Sequence, residues 1–310
     1  MLPDAMAEHW PKLVPAVEAS RSDRFDELKE RMRSRVVRGY DRRTRANFSL
    51  EWENYEVGDR TWGMDLQTRV RDYFIDVIRI PVTDLDGSVM LDAGCGNGSQ
   101  SVAYTEFGLE VVALDLSSGL EHGYAFRHRY EKARPDRVHF LQGDLLSPPL
   151  GSGRFDLIHS MGVLHHTPST EESFRTLCPL LRPGGTLCVW LYSYEPWVTP
   201  LVNSIRAVTT RIPAGAFARL AHTLAVAFQL FTMCVNALGV RSYARLSRRE
   251  AALALMDIFG APYAHYHSFA EVAGWYGDEG FDEVWECAKS RRGFGACGRL
   301  STSTGNRPRH

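Results

Sequence analysis

The stretch Leu91–Ser101, LDAGCGNGSQS, decides how the rest of the chain is read. It follows the apolar run Ser88–Met90 and carries glycines at alternate positions, Gly94, Gly96 and Gly98. A glycine inside a regular element costs roughly 1 kcal/mol relative to alanine, so this density at the end of a strand pattern needs a physical reason. Without a Cβ the backbone turns sharply from strand to helix, and a ligand approaches the main chain closely. The spacing is GxGxG, not the GxGxxG of the dinucleotide fingerprint. Asp92 stands just before the turn, where a carboxylate suits a ligand bearing an ammonium group and repels a phosphate.

Outward from this turn the chain has a regular rhythm. SVMLDAG (88–94), LEVVALDLS (109–117), RVHFLQGD (137–144), RFDLIHSMG (154–162) and PGGTLCVWLY (183–192) are strand patterns. Between them, GSQSVAYTEFG, SSGLEHGYAFRHRYEKA and STEESFRTLCPLL are helical, the last capped by Ser169 or Thr170. Short apolar runs alternating with helices predict βαβ units around a parallel sheet covered on both faces, a doubly wound Rossmann-like α/β fold. After Tyr192 the rhythm breaks. Residues 195–261 are helical and apolar with scattered arginines and predict an insertion after the fifth strand. A helix from Ser268 follows, then FDEVWECAK (281–289) and GFGACGRL (293–300), an antiparallel hairpin at the sheet edge. The expected organisation is a helical and aromatic cap over 1–64, a core over 65–194 and 262–300, the insertion as a lid, and a disordered tail over 301–310. Within the cap, Phe48–Met64 is expected to be a connector.

In an open parallel sheet ligands bind beyond the carboxyl ends of the strands. Asp115 ends the second strand, where a carboxylate can accept bonds from two vicinal ribose hydroxyls. It also suits a helix N-cap, although Ser117 and Ser118 can serve there instead. Asp144 ends the third strand. It can accept from an exocyclic adenine amine while the Leu145 N–H faces a ring nitrogen, and it equally suits a plain turn. Together Asp92, Asp115 and Asp144 describe a ligand with an amine, a ribose and an adenine but no phosphate. S-adenosylmethionine fits; NAD and ATP do not.

LDAGCGNG, VVALDLS, HFLQGD, FDLIHSMGVLHH and LLRPGGTLCVWLY, in that order, resemble the successive motifs of the class I S-adenosylmethionine-dependent methyltransferases. The resemblance covers about Ser88–Tyr192 and the final hairpin. It implies a seven-stranded sheet of order 3-2-1-4-5-7-6 with the last strand antiparallel. It also implies that Asp92, Gly94, Cys95 and Gly96 hold the methionine part, that Asp115 and Leu116 hold the ribose, that Asp144 and Leu145 hold the adenine, and that Ser160 and Met161 lie near the sulfonium. The flanks FSLEWENY and DIFGAPYAHYHSFAEVAGWYGDEGF resemble a bacterial subgroup associated with sugar, lipid, polysaccharide or natural-product biosynthesis. Relatives with an N-terminal metal-binding ribbon differ here, since no cysteine precedes Cys95.

A sulfonium methyl is already activated, so transfer needs a nucleophile held in line, with a base only for a hydroxyl, an acidic carbon or a protonated amine. His165 and His166 follow the fourth strand and are candidate bases, or only loop-bonding residues. His267, in YAHYHS (263–268), is a third candidate, although Ser268 beside it suits a helix N-cap. Adjacent imidazoles are expected to point apart, so no metal site is assigned. The acceptor is expected to be a small molecule, methylated at oxygen before nitrogen or carbon, and apolar or lipid-linked under the lid. Methylation of RNA or another macromolecule, or a non-catalytic sensor of the cofactor, are the alternatives.

Bulk composition narrows these classes. Of 310 residues, 44% are hydrophobic and 24% charged, with a net charge of -1, which offers no global attraction for nucleic acid. The arginine-rich run Arg31–Arg45 is a solvated helix face or a local anion-attracting patch. The scattered cysteines, without CxxC, disfavour a disulfide framework and favour a reducing compartment. The opening MLPDAMAEHWPKLV lacks a basic start and apolar core, and a cytoplasmic location is expected. Ala221–Val240 is long enough to raise a membrane question, but its polar residues favour a buried or interfacial helix and allow a peripheral membrane contact.

Overall fold

A computed structural model describes residues 39–53, 65–237, 246–289 and 292–302. The sequence calls that fall within 1–38, 54–64, 238–245, 290–291 and 303–310 lie outside these residues.

Seven strands form one sheet: β1 (Val89–Ala93), β2 (Glu110–Asp115), β3 (Val138–Gln142), β4 (Phe155–Met161), β5 (Leu181–Tyr192), β6 (Phe281–Cys287) and β7 (Gly293–Leu300). Their order is β3-β2-β1-β4-β5-β7-β6. The pairs β3–β2, β2–β1, β1–β4 and β4–β5 are parallel, whereas β7 runs antiparallel to β5 and β6. The helices are α1 (Gly39–Glu53), α2 (Ile75–Ile78, continuing a π-type segment Thr68–Phe74), α3 (Ser99–Tyr104), α4 (Leu120–Phe126), α5 (Thr170–Leu177), α6 (Thr199–Thr209), α7 (Ala214–Ala237), α8 (Arg248–Gly260) and α9 (Phe269–Asp278).

Both sheet faces are covered, as the apolar runs require. Along β1 the side chains alternate: Leu91 and Ala93 join a core with Phe174 and Leu177 of α5 and Tyr276 of α9, while Met90 joins Phe74, Ile78 and Tyr104 on the other face. Helix starts follow local chemistry. The Ser169 hydroxyl accepts from the Glu172 N–H, and Ser247 and Ser268 each form a reciprocal capping box, with Glu250 and Glu271.

Three expectations need correction. Phe48–Glu53 is not connector but the last turns of α1, and no Gly or Pro interrupts the chain from Tyr40 to Glu53. The cysteines are not all apart: the antiparallel register puts Cys188 of β5 opposite Cys297 of β7, where they form a disulfide, and Cys287 Sγ lies 3.4 Å from Cys297 Sγ. Finally, of the buried and interfacial alternatives for the apolar segment from Ala221, the buried one does not hold: the segment forms most of α7, whose large side chains are mostly exposed and which contributes no residue to the lining of the cavity described next.

Candidate active site

The carboxyl ends of β1, β2, β3, β4 and β5 surround a cavity of about 640 Å³, within the usual range for small-ligand sites of roughly 300–1,000 Å³. Its floor is the glycine turn. The Gly94 and Cys95 N–H groups both donate to the Leu114 carbonyl, at 2.7 and 3.1 Å, tying the turn to β2. Gly94 has φ +87°, and a Cβ there would stand 2.3 Å from Cγ1 of Val163. A Cβ on Gly96, at φ +61°, would meet the Trp52 indole at 2.6 Å. The turn is thus closed from above by α1, and only glycine fits.

Asp92, Gly94, Cys95, Asp115, Leu116, Asp144 and Leu145 all line this cavity. The buried Asp92 accepts from the Ser101 hydroxyl at 2.6 Å. Asp115 accepts one backbone N–H on each oxygen, from Gly96 and Ser117, both at 2.7 Å. Burial pushes its carboxyl upward, against the lowering by these bonds. Each oxygen keeps a further lone pair for a ribose hydroxyl. Asp144 accepts from the Leu146 N–H at 2.9 Å and so adopts the turn geometry while still facing the cavity. Burial, then the charges of Asp115 and Asp92, push the Cys95 thiol well up, so it stays protonated. Gly96 acts through its N–H on Asp115 rather than as lining, and Ser160 donates to the Ala93 carbonyl at 2.8 Å, also outside the lining.

The far end is built on β4, β5 and α8. His165 and His166 lie on the tight turn Leu164–His166. Their rings do not point apart: the centroids are 4.2 Å from each other, because both pack against Tyr192, at 3.9 and 5.4 Å. His166 Nδ1 meets the Tyr263 carbonyl at 2.8 Å, which places a proton on that nitrogen. Its Nε2 lies 3.2 Å from Asp257 Oδ1, and Asp257 Oδ2 accepts from the Tyr192 hydroxyl. His166 is thus fixed through Nδ1, while its buried Nε2 faces Asp257 and makes no hydrogen bond among the described residues. His165 is fully buried at the wall, and neither ring nitrogen has a hydrogen-bond partner among the described residues. Burial, then the neighbouring His166, hold it well below the usual histidine range, so it is neutral at pH 7.

His267 does not line the cavity. Its N–H donates to the Tyr192 carbonyl at 2.8 Å, and Nδ1 lies 2.9 Å from Glu271 of the α9 capping box. The YAHYHS segment works as a staple: the His265 N–H donates to the His165 carbonyl at 3.0 Å, and its ring Nε2 meets the Thr167 carbonyl at 3.0 Å. It holds the loop that carries His165 and His166 and does not close over a substrate. Among the described residues no cluster of His, Cys, Asp or Glu is suited to hold a metal.

Several lining residues carried no individual signal in the sequence. The roof is α1, through Phe48, Glu51 and Trp52. Glu51 is 2% exposed and its Oε2 has no hydrogen-bond partner among the described residues. Burial, then the charges of Asp257 and Asp115, raise its carboxyl well above the usual range. Both causes favour its protonated, hydrogen-bond-donating form. Among the described residues of the insertion, Asp257 and Ile258 of α8 reach the lining. Arg206 of α6 fixes that helix by donating to the Ile258 and Ala261 carbonyls, each at 2.6 Å.

Residues 91–189, from β1 into β5, match a family model described as a methyltransferase domain. The chain is 38% identical over 98 residues to a malonyl-[acyl-carrier protein] O-methyltransferase of Enterobacter lignolyticus, covering 32% of this chain and 36% of that protein. It is 27% identical over 169 residues to a demethylmenaquinone methyltransferase of Renibacterium salmoninarum, covering 54% and 64%. It thus spans less than two thirds of these relatives' lengths. It is similar in structure to magnesium protoporphyrin IX methyltransferase from Synechocystis, solved with bound SAH, at a TM-score of 0.48 and 17% identity over 84% of this chain and 98% of that one. Residues 91–189 carry a methyltransferase domain, set in a seven-stranded sheet of order β3-β2-β1-β4-β5-β7-β6.

The residues present fit the cofactor. The turn that a Cβ would fill and the three carboxylates match an amine, a ribose and an adenine; the cations of the same lining, Arg69, Lys289 and Arg292, are not part of the glycine turn. Asp92 would hold the amino group, Asp115 the ribose and Asp144 with Leu145 the adenine.

Proposed function

We propose that the protein transfers a methyl group from S-adenosylmethionine to the hydroxyl of a small-molecule acceptor. The observation that carries this reading is the continuity of one cavity from Asp92, Asp115 and Asp144 to His165. Held by Asp92, Asp115 and Asp144, S-adenosylmethionine would supply a sulfonium-activated methyl group to the acceptor oxygen, with S-adenosylhomocysteine as the leaving group. The neutral His165 would take the hydroxyl proton. The protonated Glu51 orients the acceptor from above, while Asp257, His166 and Tyr192 fix the wall behind His165. Gly94, Cys95, Gly96, Leu116, Leu145 and Ser160 serve the cofactor through the turn and strand ends. His267 supports the loop. Relatives named as O-methyltransferases, including a ubiquinone biosynthesis O-methyltransferase from Xanthomonas campestris, support oxygen as the target atom. The walls Phe48, Trp52, Trp190 and Ile258 favour an apolar or lipid-linked acceptor. A cytoplasmic enzyme touching the membrane peripherally suits such an acceptor.

The test is transfer of a labelled methyl into a panel of phenols, alcohols and amines. Label in the hydroxyl compounds, reduced by His165→Asn, supports the reading. Label confined to amines or RNA, or cofactor binding with no transfer to any acceptor, overturns it.

A further inference from the structure

The insertion has an outward face unlike any other part of the surface. Among the described residues, twelve of the thirteen exposed large hydrophobic side chains fall between Tyr194 and Met233. On α6 they include Trp197 just before the helix, 92% exposed, and Leu201, 64% exposed; on α7 they include Leu224, Leu230 and Phe231. Scattered single apolar residues need no explanation, but a contiguous run marks an interaction site.

Helix α7 is amphipathic in the reverse sense. A helix of a soluble protein turns its large apolar side chains inward. Here most of the inward stripe is small: Ala218, Ala221 and Ala225, at i, i+3 and i+7, pack on Ala251 and Ala252 of α8 and on Leu255 and Met256, with Phe217 buried and Phe228 half-buried beside them. The larger residues point out, with Leu220, Leu224 and Phe231 on one stripe and Val226, Leu230 and Met233 beside it. Small residues on the packed side let backbones approach closely, the pattern of helices whose other side faces lipid.

Charge says what covers this face. From Pro196 to Arg249 the chain has no Asp, Glu or Lys, although the whole protein is nearly neutral; of its arginines Arg206 is buried as the α8 clamp, whereas Arg211, Arg219 and Arg248 are exposed. Arg211 and Arg219 stand exposed at the α6–α7 turn and early in α7, at the edge of the apolar face. An apolar face rimmed by arginine, without a single acid, matches an anionic lipid surface. A span across the bilayer is a poorer match. At 24 residues α7 is long enough, about 36 Å, but its alanine stripe is already committed to α8, the helix that carries Asp257 into the cavity.

We infer that α6 and α7 dock the protein on an anionic lipid bilayer, lying in the interface with the apolar face of both helices inserted. This assignment does not depend on the acceptor chemistry.

The test is flotation of the purified full chain with vesicles of phosphatidylcholine alone or with phosphatidylglycerol added. The wild type floats with the anionic vesicles, less with the neutral ones, and less as salt rises. The variant Leu201→Glu/Leu224→Glu/Phe231→Glu partitions at least tenfold more weakly. Its circular dichroism and its calorimetric binding of S-adenosylhomocysteine stay those of the wild type, which separates lost docking from misfolding and from failure of the methyltransferase reading. A wild type that floats with neither vesicle overturns the inference, as does equal flotation with both. A dimer in sedimentation that the triple variant abolishes, without flotation, assigns the face to a second copy and overturns it too.

Discussion

Replacing Glu51 by Gln removes one ionisable group from the roof of the cavity while keeping its length and its capacity to donate a hydrogen bond. The wild-type carboxyl is 2% exposed, its Oε2 lacks a partner among the described residues, and burial and the charges of Asp257 and Asp115 raise it well above the usual range. In the unfolded chain it ionises near its ordinary value, about 4.3. Above that pH the folded state holds a proton that the unfolded state has lost, so stability falls as pH rises until the folded carboxyl itself ionises. One proton gives a slope approaching about 1.4 kcal/mol per pH unit. Glu51→Gln lacks this slope. Urea unfolding of both proteins from pH 5 to 8 should therefore show the variant gaining on the wild type with rising pH, by about 1.4 kcal/mol over the first unit. A difference that stays constant to within about 0.3 kcal/mol across the range, below one tenth of a three-unit proton slope, would refute the assignment of Glu51 as a neutral buried acid.

Three further perturbations address the cradle, the roof and the base. Gly94→Ala forces an L-residue into a left-handed turn and drives its Cβ to 2.3 Å from Val163, so unfolding should show a loss of about 2–4 kcal/mol, and a double-mutant cycle with Val163→Ala should reveal coupling of about 1 kcal/mol or more. Trp52→Ala opens the roof over Gly96 and should weaken S-adenosylhomocysteine binding about tenfold, roughly 1.4 kcal/mol, by calorimetry; unchanged affinity would place the indole outside cofactor binding. His165→Asn should reduce turnover by about 10²–10⁴ with cofactor affinity intact. Because burial lowers its pKa, the wild-type rate should hold as pH falls below about 6.5, the ordinary histidine value, and a decline centred at that value would contradict the low-pKa base.

The sheet was legible because each strand end carries its own chemistry. Asp92, Asp115 and Asp144 sit after short apolar runs, and alternate glycines announce a turn that a buried strand would not otherwise tolerate. The roof was less legible. Glu51 and Trp52 lie some forty residues before the glycine turn, and an aromatic, mixed-charge stretch resembles a connector unless the uninterrupted run from Tyr40 is weighed as helix. Asp257 has no local pattern at all; the packing of α8 on α7, the Arg206 clamp on its end and the Tyr192 hydroxyl place it beside His166. For α7 the total hydrophobicity gave no orientation. The alanines at 218, 221 and 225 mark its packed side and leave most of the large residues outward. The roles of His165 and His166 separate only through the register of residues 263–267 against the β4–α5 loop, a long-range contact that neighbouring residues do not encode.

The central claim is that the three carboxylates and the glycine turn hold S-adenosylmethionine. Its most direct test is calorimetric titration of the cofactor into the wild type and into Asp115→Ala. The account predicts micromolar binding to the wild type, weakened at least tenfold in the variant, in keeping with about 1.5–3 kcal/mol for a hydrogen bond to a charged group. A wild type that does not bind, or a variant that binds equally well, would contradict it.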